Sequence, residues 1–288
     1  MLDRCVASVR TAGGIDLVIV VDTGGGASPH DRDVTLIRVP NRGYGSAANA
    51  GFAAARAAGA DMIVLLNDDV VVDDGWVAPL VAAMRGGTSA APIGAAQPML
   101  LAEDRREINS LGVCIGEDGS GVDLGLGDDP PVEPFVADLE LFTGGAVLFS
   151  TAFLQATGGF DERYFLYYED VDLARRGAEL GWSYRIVTAA VVQHAGGVST
   201  SARPDHTRFL QERNRLWVAF RFADAATIGR ALWLSVRRLR HPPYGAHAKA
   251  LLFGLAGATI RVVERFGARY HSRAGERARA PGRRRARR

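Results

Sequence analysis

Cysteine is scarce: Cys5 and Cys114 are the only two in 288 residues, and they lie far apart in the chain. A disulfide framework and a paired-cysteine zinc motif are thereby excluded as organising devices, and a reducing cytoplasm is the simplest setting. No signal peptide is legible, and no apolar run reaches the length that crosses a bilayer. Charge is moderate, with 23 % of residues charged against 48 % apolar, which excludes a disordered chain and allows one large core with a small appendage. The net charge of +2 hides an asymmetry, because the tail from Arg273 to Arg288 holds eight arginines against Glu276 and leaves about −5 for the remainder.

What is present is an alternation of Val/Ile/Leu-rich runs with alanine-rich helical stretches, the pattern of a parallel sheet covered by helices. LDRCVASVR spaces Leu2, Val6 and Val9 for a helix. IDLVIVVD, VTLIRVP and DMIVLLNDDV read as strands, SAANAGFAAARAAGA as a helix opened by glycines, and residues 76–84 as another helix. GEDGSGVDLGLGDDPP is loop by composition, LELFTGGAVLFS and YRIVTAAVVQH supply later strands, and beyond His206 the pattern is wholly helical. The fold class is therefore α/β with a helical carboxy-terminal appendage.

Open α/β sheets bind ligands at the carboxyl ends of their strands. Two such ends are acidic. Asp22 closes VVDTGGG, where glycines let a phosphate or sugar approach backbone amides, although a plain tight turn has the same composition. Asn67, Asp68 and Asp69 close VLLNDDV, ground for a hard divalent cation or simply a solvated turn. A third concentration, FLYYEDVDLARRGAELGW, puts Glu169, Asp170 and Asp172 at a helix start. Helix-dipole and i, i+4 pairing account for Asp172 with Arg176. They account less well for Glu169 and Asp170, which follow a run too apolar for a solvated loop and more suited to a pocket wall.

In order, VVDTGGG, NRGYGSAANAG, NDD, LFTGGAVLFS, GGFDERYFLYYEDVDL and the histidine of QHAGGVST resemble the blocks of the inverting glycosyltransferases of family 2, especially their bacterial rhamnosyltransferase-like members, over Leu2 to about Thr200. The resemblance implies a GT-A fold, a Rossmann-like mixed sheet flanked by helices. It implies a Mg²⁺ or Mn²⁺ ion on Asp69 across the donor diphosphate, with His194 completing that shell, unless the histidine is structural. Asp68 and Asn67 would lie near the ribose and sugar and Asp22 by the base. Asn41, Gly43, Gly45 and Asn49 would line the nucleotide side of the cleft. Gly144, Gly145 and Glu169 would face the acceptor, and Asp170 would be the base that takes its hydroxyl proton as the oxygen attacks the anomeric carbon. Inversion by a single displacement needs one carboxylate opposite the leaving diphosphate, and no Ser-His-Asp arrangement suggests a covalent nucleophile.

The resemblance also exposes departures. The family's first strand, interior to its sheet, is missing, because Met1 already lies in the first helix; either a strand is encoded upstream or the sheet is rearranged or decayed. Its loss should leave unpaired backbone beside residues 15–21 and a gap in the core. TGGGASP differs from the usual polar turn, which puts side-chain contacts to the base in doubt. The expected division is a catalytic domain at 1–204, a helical appendage at 205–272 and a basic tail at 273–288. The appendage mixes Trp217, Phe220, Phe222, Leu232 and Trp233 with arginines, a pattern fitting either ordinary helix packing or a peripheral position on an anionic membrane surface. A nucleotide-sugar donor, dTDP-rhamnose or a UDP-sugar, and a glycan or lipid-linked glycan acceptor at the cytoplasmic leaflet are the expected partners. No nucleic-acid motif accompanies the tail. The competing readings are a catalytically impaired relative that binds nucleotide or glycan, and a sugar nucleotidyltransferase, whose glycine-rich loop with arginine and lysine is absent.

Overall fold

The computed structural model describes residues 1–27, 33–88, 91–194 and 203–279. Helix α1 (Leu2–Ala12) turns Cys5, Val6 and Val9 inward, on the face its spacing dictates. Strands β1 (Ile19–Asp22) and β2 (Thr35–Arg38) follow and pair in parallel with each other alone. Helix α2 (Tyr44–Ala57) leads to β3 (Met62–Leu66), β4 (Val70–Val72), α3 (Val77–Arg85) and β5 (Ile93–Ala102). The short β6 (Ile108–Ser110), β7 (Val113–Ile115), β8 (Gly121–Asp123) and β9 (Val136–Leu139) precede β10 (Ala146–Ser150) and α4 (Thr151–Thr157). Helix α5 (Glu169–Glu179), β11 (Ser183–His194), α6 (Pro204–Phe222), α7 (Ala225–Arg238) and α8 (Tyr244–Arg279) complete the chain.

The main sheet has seven strands in the order β3-β10-β5-β11-β4, with β6 added to β5 and β9 to β11. It is mixed: β11 runs parallel to β5, while β10 is antiparallel to both β3 and β5. The alternation of runs alone suggests a parallel sheet, because a strand buried on both faces is a continuous apolar run whichever way it points. One face carries an aromatic core of Phe142, Phe149, Phe153, Phe160 and Tyr184 beneath α2, α4 and α5; the other packs Trp76, Leu80 and Leu148 with α1 and α3. On β5, Gly94 lets the Phe153 ring approach, since a Cβ there would lie 2.6 Å from it. The glycine- and aspartate-rich stretch is not all loop, for Gly121–Asp123 pairs with Val113–Ile115 as a hairpin. Three residues per strand are too few to leave a period in the sequence.

Both β1 and β3 have one edge without a strand partner among the described residues, since β1 pairs only with β2, and β3 only with β10. All five residues of β3 are only partly buried. Beside residues 15–21 the backbone thus stands, as anticipated, without a second strand partner among the described residues.

The carboxy-terminal helices are less separate than their composition suggests. Val218 of α6 belongs to the aromatic core, with Trp217 and Phe222 against it. Phe220 and Ala231 join Leu216 and Ala219 in a further cluster between α6, α7 and α8. Close approach of α8 to α6 requires Gly257, where a Cβ would collide with the Trp217 indole. Of the aromatic residues that read as membrane-facing, only Trp233 is largely exposed, at 62 %. The segment Tyr244–Arg265 of α8 is nonetheless 22 residues long with mean hydropathy 1.3, long and apolar enough to cross a membrane. The sequence conceals this because Lys249 and Arg261 interrupt the run.

Candidate active site

Asp22 ends β1 and folds back on its own loop. Its Oδ1 accepts from the Gly24 and Gly25 amides at 2.9 Å each, and its Oδ2 from Ala27 at 3.1 Å. These bonds, Gly24's foremost, with the Arg38 guanidinium 3.8 Å away, hold the carboxyl below its usual range. The carboxylate thus organises the glycine turn, as the tight-turn reading requires. Asp22, Gly24, Gly26 and Ala27 still line a cleft of about 480 Å³, with Asp68 across from them and α1's first residues at its side.

The turn between β3 and β4 holds Asn67, Asp68 and Asp69. The Asn67 amide donates to the Gly145 carbonyl at 3.0 Å, while its side-chain Oδ1 is buried without a hydrogen-bond partner. Asp69 Oδ1 is also buried without one, 3.4 Å from His194 Nε2 on β11. His194 Nδ1 lies 2.9 Å from Asn109 Oδ1 on β6. The other side of the ring faces the Asp69 carboxylate, and this contact holds that carboxyl below its usual range. The Asp69 carboxylate and the His194 ring, with Asn109 behind it, are the side chains that would face an ion here, and among the described residues no group of three or more His, Cys, Asp or Glu could hold a metal.

Asp170 lies in the first turn of α5, and Glu169 beside it is buried. Asp170 Oδ2 accepts from the Gly144 amide at 2.9 Å and Oδ1 from Val171 at 2.8 Å. Glu169 Oε2 has no partner. Burial raises both carboxyls, and the neighbouring Asp170 charge lifts Glu169 further, to about 8. At neutral pH Glu169 is thus protonated, beside an Asp170 carboxyl that burial also holds above its ordinary range. Asp172 belongs elsewhere. Fully buried, it receives Arg176 Nε at 2.7 Å, Arg221 at 2.8 Å and the Tyr164 hydroxyl at 3.2 Å, the structural ion pair its spacing predicts.

Tyr44 joins the two acidic groups. Its hydroxyl donates to the Gly144 carbonyl at 2.6 Å, and it is pushed up by burial and by the charges of Glu169, Asp170, Asp69 and Asp68. Gly144 and Gly145 bridge the same space: a Cβ on Gly144 would lie 3.4 Å from Tyr44 and 3.7 Å from Asp170, and one on Gly145 3.9 Å from Asn67. The NRGYG segment serves this junction more than a ligand. Asn41 Oδ1 accepts from Gly43 at 3.1 Å; Gly43, at φ +100°, has no room for a Cβ against the Phe165 carbonyl; Gly45 packs on Phe160. The Asn49 amide is fully engaged, accepting from Phe160 N and donating to Phe160 O at 2.9 Å each, so it clamps α2 to the GGF turn instead of reaching the nucleotide side.

The loop before the acids is strained, with Phe165, Tyr167 and Tyr168 all at φ between 67° and 69°. Asn214 of α6, wholly buried, holds it: Nδ2 donates to the carbonyls of Tyr164, Leu166 and Tyr167 at 3.0, 2.8 and 2.7 Å, and Oδ1 accepts from Arg213 at 2.9 Å. Arg261 of α8 adds a second clamp, sandwiched 4.8 Å from the Tyr164 ring and 4.6 Å from Trp217 while bonded to Asp161 at 2.7 Å. Asn109, Tyr44 and Asn214 were not singled out from sequence, and of these only Tyr44 lies in a motif that was.

Two expectations follow. Asn214→Ala leaves several carbonyls short of a donor, so denaturant unfolding should show a loss of about 1–3 kcal/mol. Turnover should fall more than donor affinity, and an unchanged kcat would separate the loop from catalysis. The second concerns Glu169, whose raised folded-state pKa means the native state binds the extra proton between the ordinary value of 4.5 and about 8. Stability is therefore lost as pH rises through that window. Glu169→Gln should raise Tm by roughly 2–4 °C at alkaline pH and have little effect in acid, as followed by thermal melts across pH.

Residues 1–98 match the model of glycosyl transferase family 2. A stretch of 73 residues, 25 % of this chain, is 38 % identical to N-acetylglucosaminyl-diphospho-decaprenol L-rhamnosyltransferase of Mycobacterium tuberculosis, in strains CDC 1551 and H37Rv alike. The aligned stretch spans about a quarter, 24 %, of the length of those relatives. Among solved structures, GalNAc-T7 with UDP, GalNAc and Mn²⁺ superposes with TM-score 0.55 at 15 % identity, over 82 % of this chain and 47 % of that one, a likeness of fold. With the mixed sheet flanked by helices, these matches give the chain the GT-A fold and a likeness to glycosyl transferase family 2 over residues 1–98, rhamnosyltransferase-like where it aligns.

Proposed function

We propose that the protein transfers a sugar from a nucleotide-diphosphate sugar to a hydroxyl of a glycan or lipid-linked glycan, with inversion at the anomeric carbon. The observation that carries this reading is the convergence around Tyr44 and Gly144–Gly145 of a partly buried carboxylate, Asp170, with the acids of the β3–β4 turn. Asp170, fixed by two amides and raised by burial, is the base that receives the acceptor's hydroxyl proton. Neutral Glu169, with a free buried oxygen, hydrogen-bonds the acceptor and orients it. Asp22, with its loop, and Asp68 bound the cleft for the nucleotide and sugar, where Gly24 and Gly26 leave backbone open to the ligand. Asp69 and His194 would hold Mg²⁺ or Mn²⁺, oriented by Asn109; the ion supplies charge neutralisation for a leaving diphosphate. A rhamnosyl donor and a lipid-diphosphate acceptor are supported by the name of the mycobacterial relative, and dTDP-rhamnose or a UDP-sugar, used at the cytoplasmic face of the membrane, completes the proposal.

The test is a panel of nucleotide sugars screened for cation-dependent thermal stabilisation, followed by transfer to lipid-diphosphate glycan acceptors with the anomeric configuration of the product read by NMR. No stabilisation by any member, with the protein folded, would overturn the reading. The open edges of β1 and β3 favour one alternative, a relative that binds nucleotide without turning it over. Binding without transfer or donor hydrolysis is its signature.

A further inference from the structure

Helix α8 packs one side on α6 and α7 and leaves the other without a partner among the described residues. Leu252, Ala256, Thr259 and Val263 fall at i, i+4, i+7 and i+11, a single stripe, with Phe253, Leu255 and Ile260 beside it. Exposure of the large ones runs from 47 % for Leu255 to 65 % for Leu252 and Val263, far more than an ordinary scatter of surface apolar residues. The stripe rises about 16 Å along the helix. Its neighbour α7 exposes Trp233 and Val236.

Along the chain between Asp224 and Glu264 the charges are all of one sign, and Glu264 itself is taken up by Arg163, Arg221 and Arg261. From Ala225 to Val263 there is no aspartate or glutamate, while Arg230, Arg237, Arg238, Arg240, Lys249 and Arg261 are present. Three of these make internal contacts, Arg230 with Glu117, Arg238 with Glu212 and Arg261 with Asp161. Arg237 stacks on Trp233 at 5.4 Å, an amphipathic pair suited to the headgroup level. A face meant for a second protein would ordinarily carry both signs at its rim, whereas apolar side chains fringed only by cations complement an anionic lipid surface.

We infer that α7 and α8 dock the protein on anionic bilayers, with the Leu252–Val263 stripe in the acyl boundary and Trp233, Arg237 and Lys249 at the headgroups. The helix lies on the membrane and does not cross it, because its inner face is packed on α6 and its Arg261 is held by Asp161 of the catalytic domain. The placement has a consequence for the site. Arg230 of α7 donates to the Glu117 carbonyl at 2.8 Å, and the turn that follows receives Tyr168, whose hydroxyl accepts from Gly121 at 2.9 Å, immediately before Glu169 and Asp170. Docking through α7 and α8 therefore sets the acceptor-side loop near the membrane. The inference deepens the lipid-linked acceptor reading, but its test uses vesicles without donor or acceptor, so the two fail separately.

The full chain is incubated with phosphatidylcholine vesicles, with and without phosphatidylglycerol, and recovered by flotation at low and high salt. Expected is flotation with the anionic vesicles that persists in part at high salt, and quenching of tryptophan emission by brominated acyl chains that Trp233→Phe removes. Leu252→Glu with Val263→Glu should lower partitioning at least about tenfold while circular dichroism and nucleotide binding stay as in wild type. The inference is overturned if the wild-type chain does not float, or if the double variant floats equally well, which would leave the arginine-rich tail as the sole adhesive. It is also overturned if light scattering shows a dimer that the double variant dissociates while vesicles bind neither form. Such a result would make the face a contact between copies.

Discussion

Asp170→Asn is expected to leave donor binding within about twofold of wild type and to lower sugar transfer by about two to four orders of magnitude. The carboxylate accepts from two backbone amides, Gly144 on Oδ2 and Val171 on Oδ1. A carboxamide can keep one of those bonds, but it turns an NH₂ toward the other donor, so some stability is lost as well as basicity. The kinetic effect must therefore be read beside a thermal melt. Stability alone would depress active enzyme concentration and leave the pH profile of the survivors unchanged. Loss of the base instead abolishes the acidic limb, which in the wild type comes from the Glu169–Asp170 pair titrating as a unit. Both groups are raised by burial, so that limb should lie above the ordinary carboxylate range, with activity falling as pH is lowered through it. A variant that transfers sugar at the wild-type rate, or that keeps the wild-type limb, would remove Asp170 from the role of base.

The acids of the site were legible in the sequence because strand ends and helix starts leave local marks: NDD closes an apolar run, and the ED pair follows an aromatic one. Asp172 was legible too, through its spacing from Arg176, and the structure spends it as that spacing says. What could not be read depends on register and distance along the chain. Asn109 reaches His194 across 85 positions, from a three-residue strand with no period of its own. Asn214 sits in a helix whose charged residues make it look solvent-facing, yet Glu212, Asn214 and Arg215 are all buried by the loop and helices they bind. Asn49 shows the opposite failure. Its place after a glycine pattern suggests a ligand contact, but backbone amides of residue 160 already saturate it.

The fold has the same division. Element types follow from composition almost throughout, whereas direction within the sheet does not, because β10 and β5 are equally apolar and only tertiary pairing sets them antiparallel. The helical region was the hardest part. Its tryptophans and arginines are compatible with packing or with a surface, and the structure assigns Trp217 to packing and Trp233 to exposure within one continuous helical region.

Asp69→Ala should erase the difference between nucleotide affinity in manganese and in chelator while leaving the melting curve close to wild type. The argument begins from the geometry without any ion. Asp69 Oδ1 is buried 3.4 Å from His194 Nε2, and that contact holds the carboxyl below its usual range. Removing the carboxylate gives up this one partly exposed pair, so the fold loses little; what also disappears is half of the protein's share of a cation site. Titration of dTDP and UDP by calorimetry, with manganese and with chelator, should show at least about a tenfold cation-dependent gain in the wild type and none in the variant. Asn109→Leu, which frees the ring but spares both ligands, should fall between, with cation affinity about 10–100-fold weaker. If the variant binds nucleotide as the wild type does under both conditions, Asp69 holds no ion for the donor. The orphaned oxygen would then be satisfied by protonated His194, and the pair would be a structural bridge between the β3–β4 turn and β11.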